Sequence, residues 1–323
     1  MGRFGGNPMA VEPAADQGLA SVPGAMSVQL KRALPSGVEV TFEAAPAGWL
    51  KSDGKPRKKD WRAYYLNRAP DVVPQARQRV LSVTTLLDAI LPKDGLAPWY
   101  ERGGIGGALE AVRRGLVTLD MDDDTAVRIV RGNRLGADAL RDAAADRGLN
   151  IHRMLEEYIL FQQVPNPADH PEPHRPFIRG LVKWLIRLDP EPVEVELLVA
   201  DPENGYAGRL DLLARVKVGG VPQLWLCDLK TQEKGSIYES AHVQTRLYAR
   251  AEERFGEYEH IDNVRIVVVD GRGGFREMDC IADDEMALQA LAYHRRVKGV
   301  VAACAQVNRI VRKVNDEQQE QAA

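Results

Sequence analysis

The sequence predicts an α/β chain built on a mixed β-sheet flanked by helices, and three observations predict it. Two aliphatic, alternating runs, Leu210–Val216 and Gln223–Leu229, enclose Gly219-Gly220, the pattern of a β-hairpin. The run Val264-Arg265-Ile266-Val267-Val268-Val269 is apolar enough for a strand buried on both faces. Between Arg175 and Leu188, Phe177, Leu181, Trp184 and Leu188 recur at helical spacing and form one apolar stripe. Strands are expected near 193–200, 206–216, 222–230 and 264–269.

In chain order, residues 1–26 are rich in Gly, Ala and Pro with little periodicity, and are expected to be a disordered tail. Residues 27–78 read as a small β-unit, with alternating runs at Val38–Phe42 and Trp61–Tyr65 around a basic loop, Lys51–Lys59. Thr84 or Thr85 is placed to cap a helix through Ile90. A helical region follows from about Pro98 to Gln163. Within it, Asp122, Asp123 and Asp124 precede an apolar run; acids at a helix start answer the macrodipole, a simpler reading than a metal site. Pro165 to Pro173 is a polar linker. After the central strands, Asp270–Gly274 is a turn, Phe275–Ile281 a returning strand, and Asp284–Val314 a last helix. The main domain is thus expected over 79–314, with a frayed end at 315–323.

The chain has 323 residues and a net charge of -3, so nothing in its overall charge attracts nucleic acid. No run of about 18 apolar residues predicts a membrane span, and the amino terminus lacks the apolar core of a signal peptide, which points to the cytoplasm. The three cysteines, Cys227, Cys280 and Cys304, show no metal-type spacing, and an odd count argues against a disulfide framework.

The chemistry concentrates between Gly205 and Tyr248. With Gly219 and Gly220 as the two turn residues, Asp211 faces Asp228 across the hairpin. Like charges there repel, and a divalent cation removes the repulsion. Pro222 offers the alternative of a longer loop and a register shifted by one. Asp228 and Lys230, two apart, share a strand face. Two acids and a lysine on a solvated face are the plain alternative. Against it, Asp228 and Lys230 directly follow Leu224-Trp225-Leu226-Cys227, a run that reads as buried on both faces.

Gly208-x-x-Asp211, Asp228-x-Lys230-Thr231 and Gln244-x-x-x-Tyr248 resemble the PD-(D/E)XK nuclease superfamily, and within it the RecB-like exonuclease group that includes phage recombination exonucleases. That group carries a histidine on an upstream helix shortly after a glycine, and Gly148-Leu149-Asn150-Ile151-His152 is similar. So are Leu81-Ser82-Val83-Thr84-Thr85-Leu86-Leu87 and Leu96-Ala97-Pro98-Trp99, which look like the opening segments of phage-borne members. The likeness spans roughly residues 80 to 255.

The resemblance implies a restriction-endonuclease-like core and a set of roles. His152, Asp211 and Asp228 would be metal ligands, completed by the Leu229 carbonyl, with Glu196 a candidate extra carboxylate. Strand alternation leaves open whether Glu194 or Glu196 points inward. Lys230 would position or activate the attacking water, and Gln244 and Tyr248 would meet the DNA strand. The implied cofactor is Mg2+ or Mn2+. Oxygen ligands suit magnesium, and an imidazole moves the preference toward manganese. Glu156, one helical turn after His152, is placed either to orient the ring or simply to lie on the surface. Some RecB-like relatives hold an iron–sulfur cluster on four cysteines, and this chain has too few for one.

The implied partners are DNA and a single-strand annealing or recombination protein, in the host cytoplasm for a phage-encoded chain. At net charge -3, DNA contact requires local basic surfaces. The candidates are Arg175, Arg179, Lys183 and Arg187, every fourth residue of one helix, and Lys55, Arg57, Lys58 and Lys59 in the basic loop. The expected function is a metal-dependent DNA exonuclease. An endonuclease on the same core and a noncatalytic DNA-binding or scaffolding module are the alternatives.

Overall fold

Four strands at the start of the chain form an antiparallel meander: β1 (Val28–Ala33), β2 (Glu39–Ala45), β3 (Trp61–Asn67) and β4 (Gln78–Ser82). The computed structural model describes residues 28–45, 61–67, 77–91, 96–234 and 237–322. The expected tail at 1–26 and the basic loop with Lys55, Arg57, Lys58 and Lys59 lie outside these residues. β4 runs parallel to the start of β6 (Tyr206–Val218), so the meander continues into one nine-stranded sheet. The boundary expected at 78/79 therefore falls inside β4.

β5 (Glu191–Asp201) covers one edge of β6 over most of its length. The other edge is shared. β4 takes its first residues and β7 (Val221–Gln232) its last. β8 (Asn263–Asp270) lies parallel to β7, and β9 (Phe275–Asp279) closes the edge antiparallel to β8. The sheet is mixed, as expected, and the four predicted central strands are all present.

The β6–β7 hairpin turns at Gly219 and Gly220, whose φ angles of +58° and +85° are the two positive values that a type I′ turn demands. Leu212 pairs with Cys227 and Lys217 with Pro222, so the two-residue turn sets the register and Pro222 does not shift it.

Helices cover both faces of the sheet. On one lie α4 (Ala137–Phe161) and α5 (Arg175–Leu188), packing Ile151, Leu155, Phe177 and Trp184 against Leu212, Leu229 and Val267. On the other lie α1 (Val83–Asp88), α6 (Glu239–Phe255) and the start of α7 (Asp284–Ala322), where Leu86, Leu247 and Leu291 meet Tyr206, Leu210 and Leu226. Burying each such side chain contributes about 1.5–3 kcal/mol. α2 (Leu96–Arg113) and α3 (Asp123–Gly132) complete the helical region before α4.

Local details follow the expected physics with two corrections. Asp122 is the N-cap of α3 and accepts from the Thr125 amide, so the acidic cluster serves a helix start. α1 begins two or three residues earlier than a cap at Thr84 or Thr85 would give: Ser82 takes the extended N-cap conformation, with its Oγ 2.8 Å from Thr84 Oγ1. α7 runs to Ala322 rather than ending near Val314, because no glycine or proline follows Gly299 to stop it.

Candidate active site

The site forms where β6 changes neighbours. The ladder between β6 and β7 reaches Leu212–Cys227, and one step further would oppose the two aspartates. There the Leu229 amide instead donates to Asp211 Oδ2 at 2.6 Å.

Strand alternation also breaks at this point, in both β5 and β6. Val195 belongs to the α4–α5 core and Leu197, two residues on, to the α1–α6 core. Between them Glu196 sits at φ +53°, a left-handed conformation rare in a strand. In β6, Leu210 faces the α1–α6 core while Leu212 faces the α4–α5 core. Glu196 and Asp211 occupy the two interruptions, on neighbouring strands. This decides the question left open by alternation. Glu196 enters the site, while Glu194 accepts from the Tyr258 hydroxyl at 3.4 Å.

α4 brings His152 to the same place. Its Nδ1 lies 3.3 Å from Asp211 Oδ1 and 3.4 Å from Glu196 Oε1. One potential ligand atom from each of His152, Glu196 and Asp211 falls within 4.8 Å of the others, a group able to hold a metal ion. Burial disfavours the charged imidazole, but the Asp211 and Glu196 carboxylates outweigh that and raise its pKa to about 10. Burial acts against the Asp211 carboxylate too. The His152 charge, Lys230 and the Leu229 amide prevail and hold it below the usual range. Arg209 pairs with Glu196 at 2.5 Å. Glu156 is not among the groups that Nδ1 contacts.

Asp228 departs from the expected ligand set. The three-residue group does not include it, and its carboxylate instead meets Lys230 Nζ at 2.5 Å. Asp228 is 0 % exposed, and neither carboxylate oxygen has an aligned hydrogen-bond partner. The lysine contact is thus an ion pair without hydrogen-bond geometry. Burial lifts the Asp228 carboxyl to about 6 against the pull of Lys230, and Asp211 adds to the lift. For Leu229, the structure gives the amide a partner in Asp211.

α6 supplies the far wall. Val243, Leu247 and Ala251 are buried, as the amphipathic pattern predicts. Gln244 Nε2 donates to the Tyr248 hydroxyl at 3.1 Å. The Tyr248 ring lies directly over Gly208, where an added Cβ would come within 2.1 Å of Cε1. Gly208 is therefore required for close approach of this ring. Lys230 and Gln244 also line one cavity of about 240 Å³, together with Thr84, Gln232, Tyr238 and Ser240.

The basic stripe on α5 has other neighbours. Arg175 donates to the His170 carbonyl at 2.9 Å and Lys183 to the Gly273 carbonyl at 2.7 Å. Arg187 lies 4.0 Å from Glu277 and over the Phe275 ring, and Arg179 is exposed beside the turn at Gly273. Three of the four cations thus fasten α5 to its preceding loop or to the β8–β9 hairpin.

Sequence reasoning missed the Arg209–Glu196 pair and the bidentate link from Arg32 on β1 to the buried Glu252 on α6, at 2.6 and 2.8 Å. The first joins paired strands β5 and β6, and the second joins residues 220 apart in the chain. No protein-family model matches the chain, and no curated protein matches it. Among the described residues, no helix is long and apolar enough to cross a membrane.

Proposed function

We propose that this protein is a divalent-metal-dependent DNA exonuclease on a PD-(D/E)XK-type core, acting in phage-type recombination or repair. The observation that carries the reading is the buried Asp228 carboxylate, which has the Lys230 ammonium against it but no aligned hydrogen bond, next to the convergence of His152, Glu196 and Asp211. A buried carboxylate without hydrogen bonds is costly, and a cation offsets that cost. Carboxylates with one imidazole suit Mg2+ or Mn2+, and the residues that would hold the ion are His152, Asp211, Glu196 and Asp228, with the Leu229 carbonyl beside them. Such an ion supplies a water of lowered pKa and offsets charge on the phosphodiester.

The chain's own groups divide the remaining work. Lys230 keeps an ammonium at the site, since its carboxylate neighbours outweigh the effect of burial and raise its pKa. It is thereby suited to stabilise charge that develops on a phosphate. Asp211, anchored by the Leu229 amide, fixes the spacing between the strands. Tyr248, held over Gly208 and bonded to Gln244, sets the wall against which a DNA strand would lie.

The test is time-resolved digestion of linear, circular and single-stranded DNA with added Mg2+ or Mn2+. Loss of linear DNA from its ends is the expected result. Cleavage of closed circles would make the enzyme an endonuclease. Manganese binding without cleavage of any substrate would reduce the site to a noncatalytic module.

A further inference from the structure

α7 begins as part of the body and ends outside it. Ala287, Leu291 and His294 are buried, and Arg295 donates to the Asn204 carbonyl. Beyond this point no described residue of the helix is buried, although it continues for about 40 Å. A helix of this length is not expected to persist alone in water without partners for an apolar face.

That face exists. Met286, Tyr293, Val300 and Val307 recur every seventh residue and are 47 %, 57 %, 58 % and 57 % exposed. Ala290, Val297 and the exposed Cys304 fall between them, four residues after each, and the sequence continues the series with Val311 and Val314. This is an unbroken 4–3 apolar repeat, the pattern of a coiled-coil seam.

We propose that the free part of α7 pairs antiparallel with α7 of a second copy of this chain. A two-fold interface is self-complementary, so one helix must carry both halves of it. The charges do so. Arg295 and Arg296 stand where the helix leaves the body, and Asp316, Glu317 and Glu320 stand near its end. An antiparallel register centred between Cys304 and Val307 sets the Arg296 level of one helix beside the acidic stretch that the sequence places at the end of the other copy. A parallel register would place like charges together. The antiparallel arrangement also puts the two bodies at opposite ends of the coil. None of this depends on the catalytic reading above.

The experiment is sedimentation equilibrium of the full chain, across a range of concentrations. The expected species has twice the 35.8 kDa chain mass. Val300→Asp combined with Val307→Asp should give a monomer of unchanged thermal stability, because both positions lie beyond the part of α7 that packs on the body. Arg296→Glu should raise the dimer dissociation constant about fivefold to tenfold, since the pair occurs twice, and Arg296→Glu with Glu317→Arg should restore it. A monomer at all concentrations would overturn the proposal, as would a dimer that survives the double aspartate variant. A dimer indifferent to Arg296→Glu would overturn the antiparallel arrangement.

Discussion

Asp211 and Asp228 sit on adjacent strands of one hairpin and differ in almost every physical respect. Asp211 has its charge met, by His152 at 3.3 Å on one oxygen and by the Leu229 amide at 2.6 Å on the other, and it stays ionised. Asp228 is wholly buried, has only the misaligned Lys230 ammonium, and is pushed up to about 6. The difference teaches that two carboxylates in equivalent sequence contexts can serve different ends. One is held from two sides and joins His152 and Glu196 in the group able to hold a metal ion. The other is buried against a single ammonium without an aligned hydrogen bond.

The largest expected effect tests whether both belong to one reaction. Asp211→Asn, Asp228→Asn and Lys230→Ala should each lower kcat/KM for DNA by about 10²–10³-fold or more. Their combinations should lose little beyond the worst single change, because parts of one unit fail together. A folded Asp228→Asn or Lys230→Ala enzyme with near-normal turnover would falsify the proposed function.

Metal binding separates the two neighbourhoods next. His152→Ala should weaken Mn2+ affinity by about 10–100-fold, read by isothermal titration. An unchanged titration would leave the histidine as a mere partner of Asp211.

Stability without metal sharpens the contrast. Asp211→Asn breaks a buried pair and should cost about 3–5 kcal/mol in urea unfolding, whereas Asp228→Asn should cost much less. Equal losses would show that the aspartates are alike after all. On the α6 side, Gly208→Ala should cost about 1–3 kcal/mol by forcing the Tyr248 ring aside. A crystal structure of that variant with Tyr248 unmoved would dissolve the link between the glycine and the wall.

The smallest effect concerns the α5 stripe. Replacing Arg179 and Lys183 together by Gln should lower the salt slope of DNA binding by about 0.7–0.9 for each phosphate no longer neutralised, with turnover unchanged. Because Lys183 already donates to the Gly273 carbonyl, an unchanged slope would assign the stripe to holding the β8–β9 hairpin.

Several elements were legible in the sequence because their causes are local. Gly219-Gly220 determines a two-residue turn, the turn determines the register, and the register brings Asp211 to the level of Asp228. The apolar stripe of α5 determines both its ends and its buried face, and Asp122 its neighbouring helix start.

Only the tertiary structure decided the rest. The choice of Glu196 over Glu194 rests on a positive φ, imposed where β5 follows a β6 that is itself changing partners. Alternation treats the two glutamates as equivalent, since residues two apart share a face in any regular strand. The shared face of Asp228 and Lys230 was legible from their spacing, whereas the delivery of His152 by α4 to a place between Asp211 and Glu196 was not. That outcome depends on packing a helix across the sheet, a long-range event that no window of sequence contains.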